Sequence, residues 1–214
     1  MEYIINKVNE HVPLNGNPEG GVWEEAEKTA LVETVTGNEP ALPTHFRMLY
    51  NNECLFVGYI VEDDAILASY TDHDYPLYKE DVVEIFLSPS GSLHYYYEFN
   101  FSPKEVVCDA VVLNDGAVSD GGRGELFMPL LMWDCEGLRI KTEQKKNSNW
   151  SVTVEIPFSK LHLAENRTPE PGETWRGNLF RIEYGGPEIE YSAWCPTGKE
   201  DFHVPGKFGA LIFA

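Results

Sequence analysis

Glu84 is the residue of this sequence whose position most clearly predicts chemistry. It lies in DYPLYKEDVVEIFLSP, residues 74–89, where Val82 and Phe86 flank it at a spacing of two. This alternation predicts a strand that puts the Glu84 carboxylate on one face, between two apolar side chains. Because a lone charge there costs free energy, we expect Glu84 to meet either a cation inside the protein or a polar pocket that receives a ligand.

Three kinds of partner for Glu84 are open from the residues alone. Arg181, in GNLFRIE, is a cation that would pair with Glu84 inside the protein. Glu98, in HYYYEFNF, would supply a second carboxylate, and two carboxylates about 5–10 Å apart perform glycoside hydrolysis. A polar pocket would instead leave the carboxylate to be satisfied by a ligand.

Short β-type segments separated by turns must position these side chains. Only residues 22–28 and 157–164 have a sequence pattern typical of a helical turn. Residues 114–125 are rich in glycine and are predicted to form a loop. This pattern predicts one all-β domain over residues 1–214, an antiparallel β-sandwich (immunoglobulin-like or jelly-roll-like) with one or two short helical turns. The predicted strands are 44–50, 54–62, 82–87, 94–101, 105–112, 138–144, 150–158, 177–184 and 210–213.

The charge of the chain argues against two classes of partner. Its 35 acidic and 16 basic residues give a formal net charge of −19, whereas phosphate backbones and anionic membranes need clustered Lys and Arg. Nucleic acid and membrane are therefore not expected as partners. The N-terminal residues MEYIINKVNEHVPLNG lack the basic and apolar regions of a signal peptide, so we expect the chain as given to be cytoplasmic, or secreted if a signal precedes it.

Cysteines and common catalytic motifs give little indication of chemistry. The four cysteines are scattered without a CxxC spacing, which favours buried free thiols over a zinc site, although the even count permits disulfides. The sequence contains no nucleotide-binding loop, HExxH or GxSxG motif. Haem binding would need a converging Met–His pair, and the candidate methionines follow no such pattern; they are Met48, Met128 and Met132.

Six segments occur in an order that is typical of one known family. The most specific of them, LYKEDVVEIFLSP, has an aromatic residue followed by Asp-x-x-Glu leading into a strand. The others are LNGNPEGGVWEEAEK, PTHFRMLYNNECLFVGYIVEDD, WSVTVEIPFSKL, WRGNLFRIE and YSAWCPTGKEDFHVPGKFGALIF. Across about residues 10–214 the chain thus resembles the family 9 carbohydrate-binding modules, relatives of the DOMON sugar- and haem-binding domains. The resemblance implies a β-sandwich that binds carbohydrate and performs no catalysis.

The resemblance also implies which residues bind the ligand. In the family, two aromatic side chains clasp the terminal sugar, while carboxylate, amide and guanidinium groups bond its hydroxyls. The matching positions are Tyr78 and Trp194 for the aromatics, Glu84 for the carboxylate and, with less specificity, Arg181 for the guanidinium. Asn100 lies near the place of a sugar-contacting arginine, and the glutamate beside it makes the site more acidic, which favours a different ligand.

A metal and a partner enzyme are further implications of the resemblance. Family members bind calcium through loop carboxylates and backbone carbonyls, for which Asp63, Asp64, Asp72 and Asp74 are candidates. The expected ligand is a mono- or oligosaccharide end of a plant-type polysaccharide such as xylan, and a separate glycoside hydrolase is an expected partner. The alternatives are a xylanase-like glycoside hydrolase that uses a carboxylate pair and a haem-binding DOMON-type domain.

Overall fold

A computed structural model describes residues 1–115, 123–186 and 188–214 of the chain. The all-β prediction is confirmed, because strands dominate this part and the helical segments are short 3₁₀ turns. The predicted helical signals correspond to such turns at Gly21–Glu25, Phe158–Lys160 and His162–Ala164. Most of the predicted glycine-rich loop, residues 116–122, lies outside the described residues.

The strands of the described ranges follow the predicted segments closely and add several that the sequence did not predict. The added strands include β1 at the N-terminus and the short strands β2, β3, β9 and β13. In chain order the strands are β1 (Glu2–Lys7), β2 (Thr29–Ala30), β3 (Val32–Glu33), β4 (Thr44–Tyr50), β5 (Cys54–Val61), β6 (Val82–Ser88), β7 (Tyr95–Phe101), β8 (Val107–Asn114), β9 (Phe127–Leu130), β10 (Arg139–Gln144), β11 (Trp150–Pro157), β12 (Thr174–Glu183), β13 (Glu190–Ala193) and β14 (Gly209–Phe213).

Two sheets share the N-terminal strand. The first sheet runs in the order β9-β8-β7-β6-β12-β14-β1, and the second continues as β1-β4-β5-β11-β10. Strand β1 pairs with β14 through residues 2–5 and with β4 through residues 6 and 7, and both pairings are parallel. The predicted antiparallel sandwich is confirmed, and among the described residues only the ladders of β1 are parallel.

The main core is built from the inner faces of both sheets. Alternate residues of β6, namely Val83, Ile85 and Leu87, pack in one apolar cluster with residues of β4, β5 and β11 from the other sheet. Trp150 and Trp175 are buried in this cluster, and Trp23 is buried in a smaller one. All four cysteines are buried free thiols, as predicted. This core holds the first sheet rigidly in place, so that its opposite face can carry a site.

A second apolar cluster lies on the outer face of the first sheet. The side chains that alternate with the inner ones include Phe86 of β6 and Phe180 of β12, and the chain segment 202–208 covers them with Phe202 and Phe208. Phe180 and Phe202 stack with their ring centroids 4.2 Å apart. The outer face is therefore covered by loops over part of its area and leaves a cavity beside them.

The described part of the chain has no helix that could cross a membrane. Its helical segments are neither long enough nor apolar enough to do so.

Candidate functional site

A cavity of about 500 Å³ lies on the outer face of the first sheet. This volume is in the range of pockets that bind small molecules. Strands β6, β7, β8, β9 and β12 provide its floor, and loops provide its walls. The lining residues are Asp74, Pro76, Tyr78, Glu84, Glu98, Asn100, Cys108, Arg123, Phe127, Pro129, Leu131, Ile182, Tyr184, Tyr191, Glu200, Asp201, Phe202 and His203.

Strand register brings the predicted polar residues together on the cavity floor. Glu84 of β6 lies directly opposite Asn100 of β7, and Phe86 lies opposite Glu98. Because residues two apart on a strand share a face, Glu84, Glu98 and Asn100 all point to the cavity side of the sheet. Glu84 is only 2% exposed, and its Oε1 atom has no hydrogen-bond partner in the described residues.

Glu98 and Asn100 form a hydrogen-bonded pair next to Glu84. The Asn100 amide donates from Nδ2 to Oε1 of Glu98 over 3.0 Å, while Oδ1 of Asn100 is buried and without a hydrogen-bond partner among the described residues. Two buried acceptor atoms, one on Glu84 and one on Asn100, are thus left unsatisfied. Such groups normally have partners, because leaving one unpaired costs about 1–3 kcal/mol.

The two glutamates of the floor hold protons unusually strongly. Burial raises the pKa of Glu84 well above its ordinary value, and the nearby Glu98 carboxylate raises it further. Burial also raises the pKa of Glu98 to about 7, against smaller lowering contributions from the Asn100 hydrogen bond and from Arg123. The floor therefore carries a pair of carboxyl groups that resists full ionisation at neutral pH.

Tyr78 presents an aromatic face at the cavity. It lies in the 3₁₀ turn Leu77–Lys79, and it is 50% exposed although its neighbour Leu77 is buried in the outer cluster. The hydroxyl of Tyr184 donates to the backbone carbonyl of Tyr78 over 3.1 Å and ties the turn to the end of β12. A half-exposed ring above a polar floor is the arrangement that stacks on an apolar ligand face.

The Asp-x-x-Glu motif divides its two carboxylates between opposite faces. Asp81 and Glu84 are three positions apart, and an odd spacing along a strand reverses the side-chain direction. Asp81 accepts hydrogen bonds from the backbone N–H groups of Leu67 and Tyr184, the latter over 2.7 Å. Asp81 therefore fixes the loops around the cavity, whereas Glu84 alone lines it.

The segment 200–203 forms a wall that the sequence analysis did not predict. The Tyr96 hydroxyl and Nδ1 of His203 are hydrogen-bonded over 2.8 Å, and the His203 ring stacks on Phe86. Burial lowers the pKa of His203 well below its ordinary value, so the ring is neutral. Asp201 accepts a hydrogen bond from Nε of Arg123 over 3.2 Å. These residues follow no local motif, and long-range folding alone brings them to the site.

Arg181 lies on the opposite face of the sheet from the predicted site. It pairs with Val83 in the β12–β6 ladder, whereas Phe180 lies opposite Glu84. The Arg181 side chain is 1% exposed; it donates to the backbone carbonyl of Leu42 over 2.9 Å and lies 3.2 Å from Asp63 Oδ2. The expectation that Arg181 faces the ligand is wrong in this structure, and so is the alternative that it pairs with Glu84.

Trp194 is a core residue instead of a surface platform. It is 1% exposed and packs edge-on against Tyr3 and Phe46 between the two sheets, with ring centroids 6.2 and 6.0 Å away. It does not line the cavity. Of the five predicted ligand residues, Tyr78, Glu84 and Asn100 meet at one cavity, and their role in binding stays a prediction.

The four aspartates predicted to bind metal do not form one group. Asp63 lies with Asp81 and Glu183 in a buried cluster of carboxylates. Asp74 belongs to a second cluster with His73, Asp109 and Asp134, in which Nε2 of the histidine lies 3.0–3.4 Å from the three carboxylates. Asp64 and Asp72 belong to neither cluster of the described residues. The four aspartates predicted from the sequence are thus divided. Asp63 and Asp74 belong to different clusters, and Asp64 and Asp72 are exposed to solvent.

The buried cluster fits a hard cation such as the calcium that the resemblance implies. Its three carboxylates face only one buried cation in the described residues, Arg181, and burial raises the pKa of both Asp81 and Glu183. Asp63, Asp81 and Glu183 would hold calcium, which prefers such oxygen ligands and would offset the remaining negative charge.

We expect calcium to raise the melting temperature of the protein. A ligand present at 100 times its dissociation constant stabilises the folded state by about 2.7 kcal/mol, and a chain of this size then melts several degrees higher. Thermal unfolding in EDTA and in calcium measures the shift. Asp81→Asn should abolish the shift, and the exposed control Asp64→Asn should retain it. Equal melting temperatures in EDTA and calcium would contradict this assignment.

Comparison with protein families identifies the chain. The model of carbohydrate-binding family 9 matches residues 24–213, which include every strand that lines the cavity. The chain belongs to carbohydrate-binding family 9. No curated protein sequence gives a significant match.

Solved structures of family 9 modules share this fold. A family 9 module from Caldicellulosiruptor kristjanssonii in complex with cellotriose has a TM-score of 0.71 at 14% identity, with 100% of this chain and 93% of that chain covered. The complex with glucose has a TM-score of 0.70 at 12% identity, with 100% and 96% covered. A candidate carbohydrate-binding protein from Bacteroides uniformis ATCC 8492 has a TM-score of 0.72 at 18% identity, with 100% and 99% covered.

Family 9 membership decides among the function classes that the sequence left open. It makes the chain a non-catalytic carbohydrate-binding module instead of a hydrolase. Of the candidate haem ligands, Met48 is buried in the sandwich core and Met132 is 98% exposed, so these two methionines do not meet at one site in the described structure. The cavity of the outer face is thus the candidate carbohydrate site of a family 9 module.

Proposed function

We propose that the cavity binds the terminal sugar of an oligo- or polysaccharide, with Tyr78 stacking on the ring and Glu84 and Asn100 accepting from its hydroxyls. The observation that carries the proposal is the pair of buried, unsatisfied acceptors Glu84 Oε1 and Asn100 Oδ1 on the cavity floor. A ligand that donates hydrogen bonds at two neighbouring positions would satisfy both. Adjacent hydroxyls of a sugar ring supply donors at neighbouring positions.

The aromatic part of the cavity supports the same class of ligand. The ring of Tyr78 is half exposed, and Tyr184 and Tyr191 also line the cavity. Sugars present patches of C–H groups that pack on aromatic faces, while their hydroxyls reach polar groups at the edge. The combination of a tyrosine wall with an acceptor floor favours a sugar over a wholly apolar ligand.

The biological role that we propose is the delivery of an enzyme to polysaccharide. A plant-type polysaccharide such as xylan would present the chain ends, and a separate glycoside hydrolase would act beside the module. The complexes of related modules with cellotriose and glucose support a glucose-type terminal unit.

Calorimetric titration tests the proposal. We expect glucose, cellobiose or xylobiose to bind with a dissociation constant between millimolar and micromolar, or about −4 to −8 kcal/mol. Tyr78→Ala should weaken the binding about tenfold, because an aromatic contact contributes about 0.5–1.5 kcal/mol beyond the area that it buries. The reduced alditols of the same sugars should not bind if the terminal ring itself is recognised.

A matched variant separates stacking from a general effect of losing a tyrosine. Tyr95 is 38% exposed and does not line the cavity, so Tyr95→Ala should bind as the unaltered protein does. If no sugar gives a binding signal with folded protein, or if both variants weaken binding equally, the proposed site is wrong.

A further inference from the structure

The cavity has a strong excess of negative charge. Among the described lining residues there are five carboxylates and a single guanidinium, that of Arg123, while His203 is neutral because its burial lowers its pKa. Three of the carboxylates, on Asp74, Glu200 and Asp201, lie at the walls, and two lie on the floor. A neutral sugar needs a few acceptors but has no use for this charge.

The one guanidinium is engaged away from the floor. Arg123 donates from Nε to Oδ1 of Asp201 over 3.2 Å, and its guanidinium carbon lies 4.5 Å from the centre of the Phe127 ring. Neither Glu84 nor Glu98 has a lysine or arginine at ion-pair distance among the described residues; the nearest basic atom of Glu98 is Nε2 of the neutral His203, at 3.9 Å. Arg123 therefore acts on the two floor carboxylates only from a distance, and no cation is in direct contact with them among the described residues.

With the two carboxyl groups ionised, which a bound cation favours, the unpartnered atoms of the floor are acceptors. Glu84 Oε1 and Asn100 Oδ1 have no hydrogen-bond partner in the described residues, whereas Nδ2 of Asn100 is already bonded to Glu98. A sugar hydroxyl would bring one donor together with two lone pairs, for which the ionised carboxylates have no donor. An ammonium group carries three donors and no acceptor, so it matches the floor in hydrogen bonding as well as in charge.

We infer that the ligand of this cavity is a cationic amino sugar, an unacetylated hexosamine whose ammonium group lies between Glu84, Glu98 and Asn100. The inference rests on the proposed sugar site and specifies its substrate class. An N-acetylated sugar would lose the charge and two of the three donors, and a uronic acid would be repelled by the five carboxylates. The net charge of −19 on the whole chain also attracts cationic over neutral or anionic sugars.

Titration with matched monosaccharides tests the inference. We would measure D-glucosamine, D-glucose and N-acetyl-D-glucosamine by calorimetry at pH 6.5 in phosphate buffer, which contains no competing amine. Glucosamine should bind at least tenfold more tightly than the other two sugars, and higher salt should reduce this advantage. In Glu84→Gln, and separately in Glu98→Gln, the ratio of glucosamine to glucose affinity should fall towards one.

The outcomes distinguish this inference from the proposal that it rests on. If glucose binds as tightly as glucosamine, the cation is not recognised and the inference is overturned while the sugar site stands. If no sugar binds to folded protein, the sugar site itself fails. Equal binding of ethanolamine would show recognition of an amine without a sugar ring, and it would also overturn the inference. A selectivity ratio unchanged in both glutamine variants would do the same.

Discussion

Glu84→Gln will raise the melting temperature of the protein at pH 8 and leave it nearly unchanged at pH 4. Burial and the nearby Glu98 carboxylate raise the pKa of Glu84, and burial raises that of Glu98 to about 7 from an ordinary 4.5. Between pH 4.5 and 7 the folded protein thus binds more protons than the unfolded chain. The free energy of unfolding of the unaltered protein therefore falls as pH rises through this window.

The size of this effect follows from the shift of the pKa. A rise from 4.5 to about 7 is worth on the order of 3 kcal/mol for Glu98, and the ionisation of buried Glu84 adds a cost of its own. An amide at position 84 removes the cost that comes from Glu84. Below pH 4 both glutamates are protonated in the folded and unfolded states, and an amide of nearly the same shape changes little.

Thermal unfolding from pH 4 to pH 8.5 measures the prediction. Glu10→Gln is a suitable control, because Glu10 is exposed and its replacement changes the net charge of the chain by the same amount. The prediction is contradicted if Glu84→Gln raises the melting temperature equally at all pH values, or if it lowers the melting temperature at pH 8. Either result would mean that Glu84 and Glu98 are not two buried carboxylates without a cation in contact. A confirmed gain would show that the cavity floor sacrifices stability for binding.

Trp194→Ala will destabilise the fold by about 3–5 kcal/mol, the usual cost of truncating a large aromatic side chain in a core. The Trp194 ring is packed between the sheets against Tyr3 and Phe46. It also fills the space beside Gly209, where an added Cβ atom would lie 2.6 Å from the ring. Urea unfolding measures the loss of stability.

Ligand binding separates this core role from the stacking role that the sequence predicts. Trp194→Phe keeps an aromatic ring in the core, and we expect it to fold with a smaller loss of stability and to bind the ligand with unchanged affinity. Tyr78→Ala should behave in the opposite way, with stability nearly unchanged and weaker binding. If Trp194→Phe folds but no longer binds the ligand, Trp194 has the role in binding that the sequence predicts.

The sequence predicts the strands and the floor of the site because both depend on local alternation. The period of two in β6 places Glu84 apart from the core face without any knowledge of the rest of the fold. Asn100 follows from the same reasoning once β7 pairs with β6. Strand β1 is missed because Tyr3, Ile4 and Ile5 are all apolar, so its sequence does not show the alternation of buried and exposed residues that the strand has.

The remaining site residues depend on register and on long-range contacts, which the sequence does not show. Whether Arg181 or its neighbour faces Glu84 is decided by the pairing of Phe180 with Glu84, and a shift of one residue would reverse the answer. A tryptophan after a short strand is compatible with either burial or exposure, so Trp194 was assigned from resemblance. The wall at residues 200–203 is assembled only when the chain end folds over β6 and β7.

The parallel pairing of β1 with β14 has a mechanical consequence. Glu2 lies beside Ala210 and Ile5 beside Phe213, so the chain enters this pair at one end and leaves it at the other. Tension applied between the first and last residues would pull the two strands along their axes in opposite directions. All hydrogen bonds of the pair would then bear the load together in shear, whereas a hairpin pulled from one end opens one bond at a time. The module is built to stay closed when it is pulled by its ends.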